Sequence, residues 1–113
     1  MKAYPNTDVP AADVPGSPGA KIAWVIGKNV EAPNFAMRII SLEPGAATEY
    51  HNHAWEHEVY ILQGTGIVVD KDGETTIAPE MCVYVEPDEI HNFRNTGDTL
   101  MKFICVVPWP DES

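Results

Sequence analysis

Cysteine is scarce: the chain carries only Cys82 and Cys105. Each sits inside an apolar, strand-like run. Two buried free thiols in a cytoplasmic protein are therefore expected, not a disulfide framework. Basic residues are scarce as well. Seven Lys and Arg stand against 17 Asp and Glu, for a formal net charge of -10. So acidic a surface repels phosphate backbones and anionic lipids, so no nucleic-acid partner and no membrane partner is expected. No stretch approaches the roughly 20 apolar residues of a membrane helix. Met1-Lys2-Ala3-Tyr4-Pro5 leads into no apolar segment, so no signal peptide is expected. No helical period lasts beyond a turn or two, and no internal repeat is visible.

What is present is enough for one folded domain. The chain has 113 residues, of which 44% are hydrophobic. Residues 1–20 hold Pro5, Pro10, Pro15 and Pro18 together with Gly16 and Gly19. Proline lacks an N–H and disfavours a helical residue before it, so this segment is expected as an extended N-terminal arm. The arm either lies along the body of the protein or reaches a neighbouring subunit. Residues 21–110 are expected as the folded body.

Across that body, short apolar runs alternate with turn signals, an all-β rhythm. Strands are predicted at 22–26, 35–43, 49–53, 57–63, 67–70, 74–77, 82–85, 91–95 and 100–107. Lys71-Asp72-Gly73 marks a hairpin, and Pro108 and Pro110 end the last strand.

The four histidines of the chain, His51, His53, His57 and His91, all fall in this region. Residues i and i+2 of a strand share a face, so His51 and His53 offer two imidazoles on one side. A turn through Ala54-Trp55-Glu56 brings His57 to the start of an antiparallel neighbour. His91 comes from a strand further on and joins when a barrel closes. H-x-H alone is a weak signal. A third histidine at hairpin distance strengthens it, and the surrounding sequence strengthens it further.

Gly45-Ala-Ala-Thr-Glu-Tyr-His51-Asn-His53-Ala-Trp-Glu-His57-Glu58, followed by Gly64, resembles the first motif of the cupins. Glu80-Met-Cys-Val-Tyr-Val-Glu-Pro87-Asp-Glu-Ile-His91-Asn-Phe-Arg-Asn95 resembles the second. The likeness extends over residues 35–107. It implies a single all-β, jelly-roll-like barrel, the cupin double-stranded β-helix. The chain departs from the motif in its turns: Glu80 and Asp88 stand where glycines are usual, Glu86 stands where proline is usual, and Pro87 is shifted by one. Either His57 or Glu58 fits the place of the third ligand, and strand parity does not decide between them. H-x-H-x-W-E-H-E is similar to a subset of small cupins with four imidazole ligands, which favours His57. The resemblance thus implies one divalent transition metal, Mn, Fe, Ni, Cu or Zn, held by His51, His53, His57 and His91.

Strand parity supplies further pocket candidates. Arg38 is the single cation on a face with Ala36, Ile40 and Leu42. It could clamp a carboxylate, or sit at a strand edge paired with a surface acid. Phe103 and Cys105 share the face of Met101 and Val107, opposite Lys102. Phe93 has the parity of His91, and Trp55 lies in the turn between ligands. No conventional nucleophile–base pair stands beside the histidines, so any catalysis is expected at the metal. A metal-dependent enzyme acting on a small organic molecule is expected, with dioxygenase-type oxidation ahead of isomerase or lyase chemistry. A module that binds or senses a small ligand without turnover is the alternative. Tyr60, Leu62, Tyr84 and Ile104 fall on outward faces if His57 and Cys105 face in, which predicts a homodimer.

Overall fold

A computed structural model describes residues 1–109. Nine strands run β1 (Ala12–Asp13), β2 (Ala20–Ile26), β3 (Phe35–Leu42), β4 (His57–Gln63), β5 (Gly66–Asp70), β6 (Gly73–Ile77), β7 (Cys82–Val85), β8 (His91–Asn95) and β9 (Met101–Pro108). The helical content of the described residues is two single 3-10 turns, Asn6–Asp8 and Lys28–Val30. The strands form a six-stranded sheet in the order β1-β2-β3-β9-β4-β7 and a three-stranded sheet in the order β6-β5-β8. All the named pairs are antiparallel. The all-β, jelly-roll-like expectation holds.

Alternation along the strands builds the core. In β9, Met101, Phe103, Cys105 and Val107 are buried while Lys102, Ile104 and Val106 are partly exposed. In β4, His57, Val59 and Ile61 point in while Glu58, Tyr60 and Leu62 point out. β9 lies between β3 and β4, so its inward residues meet those of both neighbours: Cys105 sits opposite Arg38 on one side and Val59 on the other. Phe103, Leu42, Ile61, Ile77, Met101 and Val107 are the largest fully buried side chains.

One predicted strand is absent. Residues 49–53 form no strand and touch β8 through isolated bridges, Ala47 with Arg94 and His51 with His91. The Phe93 N–H donates to Thr48 Oγ1 at 2.9 Å, and the Thr48 N–H donates to Phe93 O. A side chain thus takes one of the backbone ladder bonds, and the segment follows β8 without forming a continuous ladder. The predicted pair at Lys71-Asp72-Gly73 is present, with Asp70 opposite Gly73.

Residues 1–20 lie along the barrel of their own chain. Tyr4 Oη donates to Val25 O, and β1 pairs with β2. The Val14 N–H donates to Ala20 O, which folds residues 14–20 into a tight loop. Pro108 is the last residue of β9. Pro110, the other expected strand terminator and the end of the expected folded body, lies outside the described residues.

Candidate metal centre

Three elements bring the histidines together. His57 opens β4 and His91 opens β8, and both are buried, each with 5% of its surface exposed. His51 and His53 come from the segment before β4, and the exchange of backbone hydrogen bonds between His51 and His91 fixes its position. One potential ligand atom from each of His53, His57 and His91 lies within 4.8 Å of the other two. His51 adjoins this cluster: its Nε2 is 2.6 Å from His53 Nε2, and its ring centroid is 5.5 Å from that of His91.

Hydrogen bonding orients the rings. His51 Nδ1 is 2.5 Å from Glu49 O and His91 Nδ1 is 2.8 Å from Glu89 O. A carbonyl only accepts, so in both rings the proton sits on Nδ1 and the Nε2 lone pair turns to the cluster. His57 Nδ1 lies 3.2 Å from Cys105 Sγ, and its Nε2 is buried with no hydrogen-bond partner. Burial holds the rings of His53, His57 and His91 neutral. His57 is pushed down to about 3, by desolvation first and the Arg38 charge second. His53 is pushed down to about 4, by desolvation and then by His51. His91 is also lowered by burial, against an opposing pull from the Glu89 carbonyl. Neutral imidazoles with converging lone pairs are what a transition-metal ion requires. Two nitrogens on one ion are at most about 4.2 Å apart, close to the spread of the cluster. The orphaned Nε2 of His57 and the opposed Nε2 atoms of His51 and His53 also fit such an ion.

The cluster borders a cavity of about 220 Å³. Its walls are mainly apolar and include Ile22, Ile40, Phe93 and Phe103, with Arg38 and Cys105 beside His57. Phe93 and Phe103 stack with centroids 4.6 Å apart. Arg38 faces this interior. Its guanidinium lies over the Trp24 ring at 5.1 Å, and its nearest side-chain polar atoms among the described residues are Cys105 Sγ and His57 Nδ1. Neither belongs to an acid, so Arg38 is not the edge residue of a surface ion pair.

Four of the five pocket candidates, Arg38, Phe93, Phe103 and Cys105, line the cavity. Trp55 does not: it backs His53, with rings stacked at 4.6 Å and 11°. Glu58 is exposed on the outer face of the sheet, beside Tyr60 and Tyr84. Burial separates the two residues that strand parity left open: His57 lies on the buried face of β4 and Glu58 on the exposed one. Val14 and Ser17 of the N-terminal loop also line the cavity, as do Thr48 and Glu49. Nothing local in Val14-Pro15-Gly16-Ser17 signals this, since it depends on how the arm folds back. Both free thiols are unpaired, Cys82 exposed and Cys105 buried.

Known proteins resemble this chain in sequence and in fold. The chain is 32% identical over 69 residues to the oxalate-binding protein of Thermotoga maritima, covering 60% of this chain and 57% of that protein. It therefore spans somewhat more than half the length of that relative. Among solved structures, the polyketide cyclase RemF from Streptomyces resistomycificus superposes with a TM-score of 0.89 at 27% identity, over 97% of this chain and 80% of that one. A predicted oxalate decarboxylase from Thermotoga maritima superposes with a TM-score of 0.84 at 21% identity, over 95% and 98%; at that identity the likeness is one of fold. Residues 38–107 match the cupin domain family, Cupin_2, and the chain belongs to it.

Proposed function

We propose that the protein is a metal-dependent cupin enzyme acting on a small organic molecule, with dioxygenase-type oxidation the favoured chemistry. The observation that carries this reading is the convergence of imidazoles on one wall of a largely apolar cavity. His51, His53, His57 and His91 are the ligands in this reading, and Glu58 is not. Such a metal, when bound, supplies a Lewis-acid or redox centre with positions left open for small ligands.

The chain's own residues do the rest. Phe93, Phe103, Ile22 and Ile40 hold an apolar body and exclude water from it. Arg38 gives the cavity a cation, which suits a carboxylate or another anionic group. That charge offsets the acidic surface for an incoming anion. Trp24 beneath the guanidinium and Cys105 beside it hold Arg38 in place.

A second reading is a binding module without turnover. The likeness to an oxalate-binding protein favours it, because Arg38 and a bound cation would serve carboxylate recognition equally well. The homodimer and the cytoplasmic location belong to the same proposal. The exposed Tyr60, Leu62 and Tyr84 support the first, and the unpaired thiols support the second.

The test is dioxygen uptake by protein loaded in turn with Mn, Fe, Ni, Cu and Zn, against a panel of small aromatics, diketones and carboxylic acids. Metal-dependent consumption of substrate supports the enzyme. Saturable binding of a carboxylate with no consumption under any metal supports the binding module instead.

A further inference from the structure

His57 is oriented differently from His51 and His91. Those two rings are oriented by backbone carbonyls, Glu49 O and Glu89 O, each two residues before the histidine it holds. His57 Nδ1 instead faces two side chains, Cys105 Sγ at 3.2 Å and Arg38 Nη2 at 3.4 Å. Arg38 Nη2 is itself 2.9 Å from Cys105 Sγ. The three groups make a closed triangle on the wall of the cavity.

The chemistry of the triangle decides the tautomer. A guanidinium only donates. Facing the guanidinium alone, Nδ1 would accept from Arg38 and the proton would move to Nε2. That Nε2–H would point into the cluster, where Nε2 has no partner, and it would block a metal. The sulfur reverses this. With its own S–H turned out of the triangle, it accepts from Arg38 and from Nδ1–H together, and the 3.4 Å approach of Nδ1 to Nη2 becomes a side-by-side contact of two donors. We propose that Cys105 is a positioning residue that fixes His57 as the Nδ1–H tautomer and so leaves its Nε2 lone pair free for a metal ion.

The fold places the sulfur there through strand register. Cys105 sits opposite Arg38 in β3 and opposite Val59 in β4, two residues along from His57. It is buried, at 3% exposure, so water does not compete for the sulfur. The partner of a ligating histidine sets ring orientation and basicity, and removing such a partner typically weakens metal binding about 10–100-fold. The proposal rests on the reading of His57 as a ligand, and the experiment separates the two.

Nitrogen-15 histidine NMR on metal-free protein reports the tautomer of His57 directly, and zinc titration of the same samples reports affinity. Wild type and Cys105→Ser, which keeps an acceptor, should show the Nδ1–H form. Cys105→Ala and Cys105→Val lack one; the second fills the space the first leaves. Both should shift His57 to the Nε2–H form and bind zinc about 10–100-fold more weakly. An unchanged tautomer and affinity in both variants would overturn the proposal, as would an Nε2–H form in wild type. A wild type that binds no zinc, yet changes tautomer as described, would overturn the ligand reading and leave the positioning role standing.

Discussion

At the scale of single residues, the metal centre and the fold draw on different groups. His53, His57 and His91 are kept neutral by burial, and this has a consequence for acid stability. His57 and His53 bind protons near 6.5 in the unfolded chain and only near 3 and 4 when folded. Between those limits the unfolded state holds more protons, so stability present above about pH 6.5 is lost as pH falls toward 4. Urea unfolding of metal-free protein at pH 7, 5.5 and 4.5 should show this decline, and His57→Leu should flatten it. A slope identical in the variant would contradict the account. Asn95 shows the other kind of residue. It is buried, at 3% exposure. Its Nδ2 donates to Leu42 O and Thr99 O, and its Oδ1 accepts from the Gly97 N–H. Asn95→Ala leaves these backbone groups without that partner and should cost roughly 1–3 kcal/mol in urea unfolding, with metal stoichiometry unchanged. The sequence marked Asn95 by its place after His91, but not this role in holding the turn from β8 to β9. Gly97 and Thr99 are local partners of Asn95, but Leu42 comes from β3, and no local pattern announces that contact.

At the scale of elements, strand alternation made β4 and β9 readable in detail. The inward faces of His57, Val59 and Ile61 and of Phe103, Cys105 and Val107 follow from a period of two once one residue is placed. The segment 49–53 was not readable in this way, because Thr48 takes a ladder bond with its hydroxyl. The arm was legible as non-helical from its prolines, but its contribution of Val14 and Ser17 to the cavity was not. The turns carry a further signal. Glu80 and Asp88 take left-handed backbone with φ of 75° and 67° at the places where the family motif has glycine. The motif reports a backbone requirement, which this chain meets with strained residues. Gly64, at φ 80°, meets the same requirement with glycine, and a Cβ there would lie 2.7 Å from Leu100 O. Two substitutions should therefore move stability in opposite directions. Glu80→Gly should raise it by about 0.5–1 kcal/mol after the entropy of glycine is counted. Gly64→Ala should lower it by at least about 1 kcal/mol. Equal effects of one sign, by thermal unfolding, would contradict the assignment of strain.

At the scale of the whole molecule, apolar surface and acidity pull in opposite directions. Tyr60, Leu62 and Tyr84 are 40%, 40% and 56% exposed on the outside of the six-stranded sheet. β7 is a short edge strand of that sheet, and a surface of this kind is stabilised by burial against a second copy. Light scattering at micromolar concentration should give the mass of a dimer, and Tyr84→Glu should shift it toward monomer. Wild-type protein that stays monomeric on concentration would contradict this. The net charge of -10 leaves Arg38 as a cation set inside an acidic molecule, beside the histidines on the cavity wall. The proposed enzyme function depends on those histidines holding one metal ion. Elemental analysis of protein purified without a metal-affinity tag, on wild type, each histidine-to-Ala variant and Glu58→Gln, tests that most directly. The account predicts about one metal per chain in wild type and in Glu58→Gln, and a marked loss in His51→Ala, His53→Ala, His57→Ala and His91→Ala. Full metal content in His57→Ala together with loss in Glu58→Gln would contradict it.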